Sequence, residues 1–362
     1  MPKVVISGYY GFGNCGDEAM LFAIVTQLSR RIPGLQVVVL SQRPEDTARD
    51  FGVRSVSRRD LRLIWRELRD ADLFLSGGGS LFQDVTSPRS IFYYAALILL
   101  ARLRRKKICL YGQGIGPLNH RLSRFLVGRA VRLADLVTLR DETSVEELAA
   151  LGVSGPMYVT ADPVLGLEEG LGGKENGRAL LEAAGVGEGP ILAVSLRRWP
   201  QLERSLAAVT ALADRVAGAG WQVVLTPLQR DDLAVLRLVQ KQMRQPAVLL
   251  ENFQGFRDLM AVTSHFDLCV GMRLHFLIFA AMFAVPAVGL SYDPKVARFM
   301  HQVGLPALPV ESVAADDLIQ AVDGLLSDLG SVRSRLRERV RELRARAEEN
   351  ADLVAALLRG GE

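Results

Sequence analysis

The sequence has little cysteine and histidine, with three cysteines and four histidines in 362 residues. The cysteines are too few and too widely spaced for a disulfide framework or a CxxC metal site, and the histidines lack metal-ligand spacing. The 33 glycines and 15 prolines are too few for a collagen-like or low-complexity chain. We therefore expect no bound metal and no cofactor, in a protein of a reducing compartment.

Apolar runs long enough to cross a bilayer are also missing. The run 91–103 is shorter than the roughly 20 residues that a span needs, and the run 274–290 is interrupted by His275 and Pro286. No basic start followed by an apolar stretch opens the chain, so we expect no signal peptide. These absences predict a soluble, cytoplasmic protein.

Short runs rich in Val, Ile and Leu alternate with helix-length amphipathic stretches along the chain, which indicates parallel sheets covered by helices on both faces. Residues 168–190 are rich in Gly and Glu and are predicted to be a linker. We expect an α/β fold of two doubly wound, Rossmann-like domains, residues 1–167 and 191–330, which face each other across a cleft. Over 331–362, apolar residues recur at helical spacing and predict a docked amphipathic C-terminal helix.

Positive charge is concentrated in the first half, where residues 1–165 contain 22 Lys and Arg against 16 Asp and Glu. The block 102–107 alone has five basic residues. A basic face fits anionic lipid at the inner side of the membrane, or a diphosphate-bearing acceptor. The alternative is a solvated helix end that complements its own dipole. The excess of positive charge is too small to indicate nucleic-acid binding, and few aromatic residues are interleaved with the basic ones.

The first glycine-rich motif, 11–16, matches GxGxxG between a predicted strand and a predicted helix. Asp17 and Glu18 would repel a pyrophosphate from the helix N-terminus, which counts against a dinucleotide site. We instead expect a neutral sugar here, with Asn14 and Gly16 as binding residues and Asp17 as the acceptor of a hydroxyl proton. The alternative is a tight turn that is capped by Asp17.

Two further glycine-rich segments, 77–80 and 112–117, follow predicted strands of the same half. Glycines let backbone amides approach a ligand closely, so three such turns at neighbouring strand ends indicate a binding edge. The residues that we expect on its acceptor side are Gly78, Gly79, Asp84 and Gln113.

Cationic side chains follow the strands of the second half. Arg273 and His275 lie on the first turn of an apolar helix, where the amide dipoles favour an anion. A bound phosphate would hold His275 protonated, as a general acid requires, whereas the alternative is a ring satisfied by a backbone carbonyl. The residues expected to bind a small, highly anionic donor are Arg197, Gly271, Arg273 and Lys295.

Arg140 ends a predicted strand of the first half, directly before Asp141. One interpretation is a clamp for a carboxylate or phosphate of the substrate. The other is an ion pair with Asp135 or Asp141 at the rim of the domain.

Six motifs together resemble the polysaccharide pyruvyl transferase family, and they extend over most of the chain. They are 11–18, 77–84, 112–117, 139–141, 271–275 and 292–295. The subgroup that they resemble acts on lipid-linked precursors of secondary cell-wall polymers, which anchor surface-layer (S-layer) proteins. The resemblance implies a fold similar to B-type glycosyltransferases. It also implies donor-binding or catalytic positions at Arg140, His275 and Lys295, with Asp17 on the acceptor side.

The resemblance implies phosphoenolpyruvate as the donor and a ketal across two hydroxyls of an amino sugar as the product, with release of phosphate. Arg140, Arg273 and Lys295 would neutralise the donor, and His275 would donate a proton to it. Asp17 would serve as base for the attacking hydroxyl. Two alternatives stay open: a B-type glycosyltransferase that uses a nucleotide sugar, and a non-catalytic module that binds a cell-wall precursor.

Overall fold

The computed structural model describes residues 1–85, 88–200 and 202–360, and the chain divides into two compact units. Unit 1 comprises residues 1–167 together with 343–362, and unit 2 comprises residues 168–342. Residues 361 and 362, the end of the predicted C-terminal segment, lie outside the described residues.

Unit 1 is built around a parallel sheet. Its described strands are β1 (Lys3–Ser7), β2 (Gln36–Ser41), β3 (Arg54–Ser57), β4 (Leu73–Ser76), β5 (Gly79–Phe82), β6 (Lys107–Ile115), β7 (Leu136–Leu139) and β8 (Tyr158–Val159). Its described helices are α1 (Cys15–Arg31), α2 (Pro44–Phe51), α3 (Leu61–Arg69), α4 (Pro88–Leu103), α5 (Arg121–Val131) and α6 (Glu142–Ala150).

Unit 2 is built around a second parallel sheet. Its described strands are β9 (Ile191–Ser195), β10 (Gln222–Leu225), β11 (Val248–Leu249), β12 (Leu268–Gly271), β13 (Ala287–Ser291) and β14 (Ala307–Pro309). Its described helices are α7 (Lys174–Ala183), α8 (Glu203–Gly218), α9 (Leu233–Gln242), α10 (Gly255–Thr263), α11 (Leu274–Met282), α12 (Pro294–Val303) and α13 (Ala315–Ser327). A last helix, α14 (Leu329–Arg359), begins in unit 2 and ends in unit 1.

Both sheets have the strand order of a doubly wound fold. In unit 1 it is β3-β2-β1-β4-β6-β7-β8, with β5 paired to β6, and in unit 2 it is β11-β10-β9-β12-β13-β14. Each chain segment starts in the middle of its sheet, builds outward to one edge, and then returns to build the other half. The direction reverses between β1 and β4 and again between β9 and β12, which are the places where such sheets bind ligands. The predicted fold class is confirmed.

Helices α3, α4 and α5 cover one face of the unit 1 sheet and share its core. Ile64 of α3, Ile98 of α4 and Val127 of α5 are fully buried together with strand residues such as Ile108. Their outer sides are therefore neighbouring parts of one surface layer.

The segment 168–190 differs from the prediction of a linker. It is part of unit 2 and contains α7, which packs against α10. A Cβ on Gly177 would lie 2.2 Å from the carbonyl oxygen of Ala261. The glycine thus allows two helices to approach closely, and it is not a sign of an exposed connection.

The predicted C-terminal helix is confirmed, and its apolar stripe is buried. Residues 343–359 pack into unit 1, where Asn350 is fully buried. Its Oδ1 accepts hydrogen bonds from the hydroxyls of Thr138 and Thr160, and its Nδ2 donates to the carbonyl oxygen of Ala161 at 3.3 Å. This part of α14 is therefore an integral part of the first unit.

The run 274–290 is a buried helix followed by a buried strand, as predicted, whereas the run 91–103, which is too short for a membrane span, is buried on one side of its helix only. Residues 91–103 lie in α4, and residues 274–290 form α11 and most of β13. Among the described residues, no helix has both the length and the apolar character that crossing a bilayer requires.

Candidate functional site

The candidate site in unit 1 lies where β1, β4 and β6 end. These strands are neighbours, and Ser7 at the end of β1 pairs in register with Ser76 at the end of β4. The loops that follow them therefore leave the sheet side by side. Strand β6 continues to Ile115, so most of the glycine-rich segment 112–117 is strand, and the predicted turn after Tyr111 is wrong.

Asp17 lies against the triple-glycine segment. It is half-buried in the first turn of α1, and its Oδ1 is 3.9 Å from the position that a Cβ on Gly79 would occupy. Gly79 has a φ of 97°, a conformation that favours glycine. The structure thus brings together two residues that were predicted to contact the acceptor.

The other two glycines of this segment are required by packing. A Cβ on Gly78 would lie 2.6 Å from Sδ of Met20, and one on Gly77 would lie 2.1 Å from Oη of Tyr10. Packing alone therefore accounts for glycine at position 78, and its role in acceptor binding stays a prediction.

Three buried polar atoms near these glycines have no hydrogen-bond partner among the described residues: Tyr10 Oη, Ser76 Oγ and Gln113 Oε1. Nε2 of Gln113 donates to the carbonyl oxygens of Ser76 and Gly77, at 3.0 and 2.5 Å. Burial, with the charge of Asp17, raises the pKa of Tyr10, so its hydroxyl stays protonated. Buried polar atoms normally have partners, and these three offer both a donor and acceptors to a sugar hydroxyl.

Asn14 is the N-cap of α1. Its Oδ1 accepts a hydrogen bond from the amide of Gly16 at 3.0 Å, and Gly16 is buried. The cap is therefore Asn14, whereas the alternative interpretation assigned it to Asp17. The hydrogen bond between Asn14 and Gly16 shapes the loop, and their contact with the acceptor stays a prediction.

Glu18 is a functional candidate that the sequence did not reveal. Its Oε1 accepts a hydrogen bond from the amide of Gly11 at 2.8 Å. Burial raises the pKa of Glu18 to about 7, although the amides of Gly11 and Gly13 oppose the rise. The carboxylate therefore titrates near neutral pH and holds the glycine loop; the only signal for it was an acid directly after the motif.

Arg140 is buried at the end of β7 and lies between two carboxylates. Its Nη1 is 3.4 Å from Asp162 Oδ2, and its Nε is 3.8 Å from Asp141 Oδ2. Its Nη2 donates to Oγ of Ser80 at 2.8 Å, next to Gly79. The predicted alternative of a pair with Asp141 is thus correct, and the side chain also reaches the glycine segment.

Asp84 anchors a loop. Its carboxylate accepts hydrogen bonds from the amides of Asn119 and His120, at 2.8 to 3.0 Å. Partial burial raises the pKa of Asp84, but these amides outweigh that effect and lower it. Asp84 therefore binds the chain that precedes α5, and its contact with the acceptor stays a prediction.

In unit 2, His275 follows β12 as the second residue of α11. It is half-buried, whereas the other residues of that helix are buried. A Cβ on Gly271 would lie 2.6 Å from Cδ1 of Phe276. Gly271 is therefore needed for packing of the helix, and its contact with the donor stays a prediction.

Arg273 is the N-cap residue of α11 and is buried in an ion pair. Its Nε donates to Oδ2 of Asp232 at 3.1 Å, and its Nη2 donates to Oδ1. A carboxylate of the chain thus takes two nitrogens of the guanidinium, and the contact of Arg273 with the donor stays a prediction. The partner lies 41 residues earlier in the sequence.

Arg197 and Lys295 both lie beside the side chain of Tyr292. Nη1 of Arg197 donates to Oη of Tyr292 at 3.1 Å, and Nζ of Lys295 is 5.5 Å from the centre of the Tyr292 ring. Burial raises the pKa of Tyr292, but the charges of Lys295 and then Arg197 outweigh it and lower it. Lys295 also pairs with Asp293 at 3.2 Å. The two cations were predicted, but the tyrosine that joins them was not.

This cationic cluster lies at the switch point of the unit 2 sheet. Arg197 follows β9, His275 follows β12 and Lys295 follows β13, and these three strands are consecutive in the sheet. Nε of Arg197 and Oγ of Ser195 are buried with no hydrogen-bond partner in the described part of the chain. Such an arrangement can bind a small ligand with more than one negative charge.

The family described as polysaccharide pyruvyl transferase matches residues 14–294. The chain belongs to this family. It is a transferase enzyme with a pyruvyl transfer role in polysaccharide biosynthesis, so a non-catalytic binding module is excluded. The chain is also 21% identical to the amylovoran biosynthesis protein AmsJ of Erwinia amylovora, over 94% of this chain and 96% of AmsJ.

Solved structures of low sequence identity share the fold. The UDP-GlcNAc 2-epimerase of Neisseria meningitidis bound to UDP-GlcNAc is 11% identical, with a TM-score of 0.65 over 99% of this chain and 100% of that one. HepE of Anabaena in complex with UDP is 12% identical, with a TM-score of 0.69 over the same shares. The fold is therefore of the kind found in B-type glycosyltransferases, as predicted.

Proposed function

We propose that this transferase moves pyruvate from phosphoenolpyruvate onto two hydroxyls of an amino sugar in a polysaccharide precursor, with release of phosphate. The observation that carries this proposal is the cluster of Arg197, Tyr292 and Lys295 beside the strand end that bears His275. Phosphoenolpyruvate has a carboxylate and a phosphate on three carbons, and a compact cationic cluster suits it better than a large nucleotide.

Donor activation is assigned to unit 2. Arg197 and Lys295 bind the two anionic groups, and His275 donates a proton to the methylene carbon, where a new C–H bond forms. The adjacent carbon becomes electron-poor and is attacked by a sugar hydroxyl. The bond to the phosphate oxygen then breaks, phosphate leaves, and a second hydroxyl closes the ketal. Each hydroxyl releases one proton: one replaces the proton that His275 gave to the methylene carbon, and the other leaves with the phosphate. The C=C double bond and the C–O bond to phosphate are thus exchanged for one C–H bond and two C–O bonds of the ketal.

Acceptor binding is assigned to unit 1. Asp17 accepts the proton of the attacking hydroxyl, and Gly79 leaves room for the sugar beside it. Tyr10, Ser76 and Gln113 supply hydrogen bonds from the floor of the same edge. Arg140 acts as a positioning residue, because its contact with Ser80 holds the chain that follows Gly79.

We further propose that the acceptor is lipid-linked and that it belongs to the secondary cell-wall polymers that anchor S-layer proteins, in the cytoplasm. The support for this subgroup is the motif set of the sequence. AmsJ, by its name, takes part in amylovoran biosynthesis, which supports a polysaccharide acceptor in the broader sense.

Incubation of the purified chain with phosphoenolpyruvate and a lipid-linked amino-sugar disaccharide tests the proposal. We expect phosphate release together with the mass gain of one pyruvate ketal. His275→Asn should abolish both while the protein stays folded. Release of a nucleoside diphosphate from a nucleotide sugar, without phosphate release from phosphoenolpyruvate, would instead support the glycosyltransferase alternative.

A further inference from the structure

Exposed apolar side chains are concentrated on three helices of unit 1. Among the described residues, unit 2 exposes one large apolar side chain, Leu238. Helices α3, α4 and α5 expose seven between them: Leu61, Trp65, Phe92, Leu99, Leu103, Leu122 and Phe125.

On α4 these side chains form a stripe. Phe92, Leu99 and Leu103 are 48%, 51% and 63% exposed, and their spacing of seven and four residues places them on one side of the helix. The opposite side, which includes Leu97 and Ala101, is buried in the core. The helix is therefore apolar on both sides, and its outer side has no covering within the described chain.

The stripe continues onto the neighbouring helices. Helix α4 packs against α5, and the Arg104 guanidinium, just after α4, lies 3.7 Å from the centre of the Trp65 ring of α3. The outer sides of α3, α4 and α5 thus form one surface, here called the α3–α5 face. Monomeric soluble proteins rarely expose a contiguous apolar patch of this kind without a binding role.

The α3–α5 face is also strongly basic. Together the three helices contain eight arginines and one acidic residue. The acid is Glu67, which is buried and bonded to Lys3 and Arg54. Two of the arginines pair with carboxylates that lie just outside these helices, Arg69 with Asp70 and Arg102 with Asp135. The charge of the other six is not balanced by carboxylates of the three helices.

We propose that the α3–α5 face docks on the surface of an anionic lipid membrane. Phe and Leu side chains enter the boundary between headgroups and acyl chains, Trp65 lies at that boundary, and the arginines bind lipid phosphates. Docking would serve the proposed function, because a lipid-linked acceptor would be presented at such a surface. In this one respect the proposal rests on that function.

The face borders the candidate acceptor edge of unit 1. Leu61, Phe92 and Leu122 lie in the first two turns of their helices. In a doubly wound sheet the helices begin at the end where the strands finish, which is the end that bears Asp17 and Gly79. Docking would therefore bring this edge close to the lipid headgroups.

Sedimentation of the purified full chain with vesicles tests the inference without either substrate. Vesicles of phosphatidylcholine are compared with vesicles that also contain phosphatidylglycerol, at low and high salt. We expect binding to the anionic vesicles, weakened by salt. The triple variant Arg62→Gln, Arg121→Gln, Arg129→Gln should bind about 100-fold more weakly, at about fivefold for each arginine. The variant Phe92→Ser, Leu99→Ser, Leu103→Ser should lose about tenfold or more.

Matched control variants come from unit 2. They are Leu238→Ser for the apolar set and Arg230→Gln, Arg244→Gln, Arg337→Gln for the charge set, all at exposed positions. Absence of vesicle binding, or equal losses in test and control variants, would overturn the inference. So would a dimer that the apolar variant dissociates, since a second copy would then cover the face. Pyruvyl transfer to a water-soluble acceptor should persist in both test variants, so its absence in the wild type would count against the proposed function alone.

Discussion

Arg273 and Asp232 form a buried ion pair in which the guanidinium contacts both carboxylate oxygens. Asp232 Oδ2 also accepts hydrogen bonds from the amides of Leu228 and Gln229, at 3.1 and 3.3 Å. The pair therefore ties the segment after β10 to the start of α11. It fixes the backbone that carries His275.

Breaking this pair should destabilise the protein strongly. Asp232→Asn is expected to lower the free energy of unfolding by about 3–5 kcal/mol, because it leaves a buried guanidinium without its counter-charge. Urea denaturation measures the change. The control is Asp323→Asn, which breaks a pair with Arg215 whose side chains are both 50% exposed and should cost about 0–1 kcal/mol. Similar costs at both positions would contradict the prediction.

Arg197 should act mainly in donor binding. Arg197→Ala is expected to raise the KM for phosphoenolpyruvate about 10- to 100-fold, since a hydrogen bond to a charged group contributes about 1.5–3 kcal/mol. Steady-state kinetics with varied phosphoenolpyruvate measure it. The neighbouring Arg198 is exposed and provides the matched control, Arg198→Ala. An equal rise in KM for both variants would mean that the overall positive charge of the region, and not a specific contact of Arg197, attracts phosphoenolpyruvate.

Glu18 should make stability depend on pH. Its pKa is about 7 in the folded protein against an ordinary value of 4.5, so its stabilising contribution is complete below pH 4.5 and is lost as pH rises through 7. Glu18→Gln should therefore be more stable than the wild type above pH 7, by up to about 3 kcal/mol, and nearly equal to it below pH 4.5. Urea denaturation across this range measures the difference. Glu45→Gln, at an exposed position, is the control, and a difference independent of pH would refute the assignment.

Gly114 should be intolerant of a methyl group. A Cβ there would lie 2.6 Å from Nε and Nη2 of Arg140 and would displace the guanidinium from Ser80. Gly114→Ala is expected to cost about 1–3 kcal/mol of stability and to lower kcat. Gly324→Ala, inside α13 with open space around it, should be neutral or stabilising by up to about 1 kcal/mol. Retained kcat in Gly114→Ala would remove Arg140 from the positioning role.

The fold could be predicted from the sequence wherever a strand is a continuous apolar run. Strands β3, β5 and β14 could not, because each has only three or four residues and none is a continuous run of Val, Ile and Leu; β3 buries one of its four residues. Such strands form because a neighbouring strand offers its backbone groups, and a sequence pattern does not contain that information.

The sequence predicts those site residues that directly follow a strand. The sequence locates Arg197, Lys295 and Asp17 there, but it does not show which carboxylate or ring each side chain meets. Arg273 and Asp232 are 41 residues apart, so the pattern could not distinguish a ligand-binding arginine from a paired one. Likewise the sequence does not show whether a glycine makes room for a ligand or, as at Gly78, for the side chain of Met20.

Helix α14 has a consequence for biosynthesis. Because residues 343–359 complete the first unit, the ribosome must translate the whole of unit 2 and this helix before the first unit can assemble. Until then the N-terminal sheet of the nascent chain lacks Asn350, and the hydroxyls of Thr138 and Thr160 lack the acceptor that this residue provides. A chain that is released before α14 has been translated would therefore leave its N-terminal unit incompletely folded.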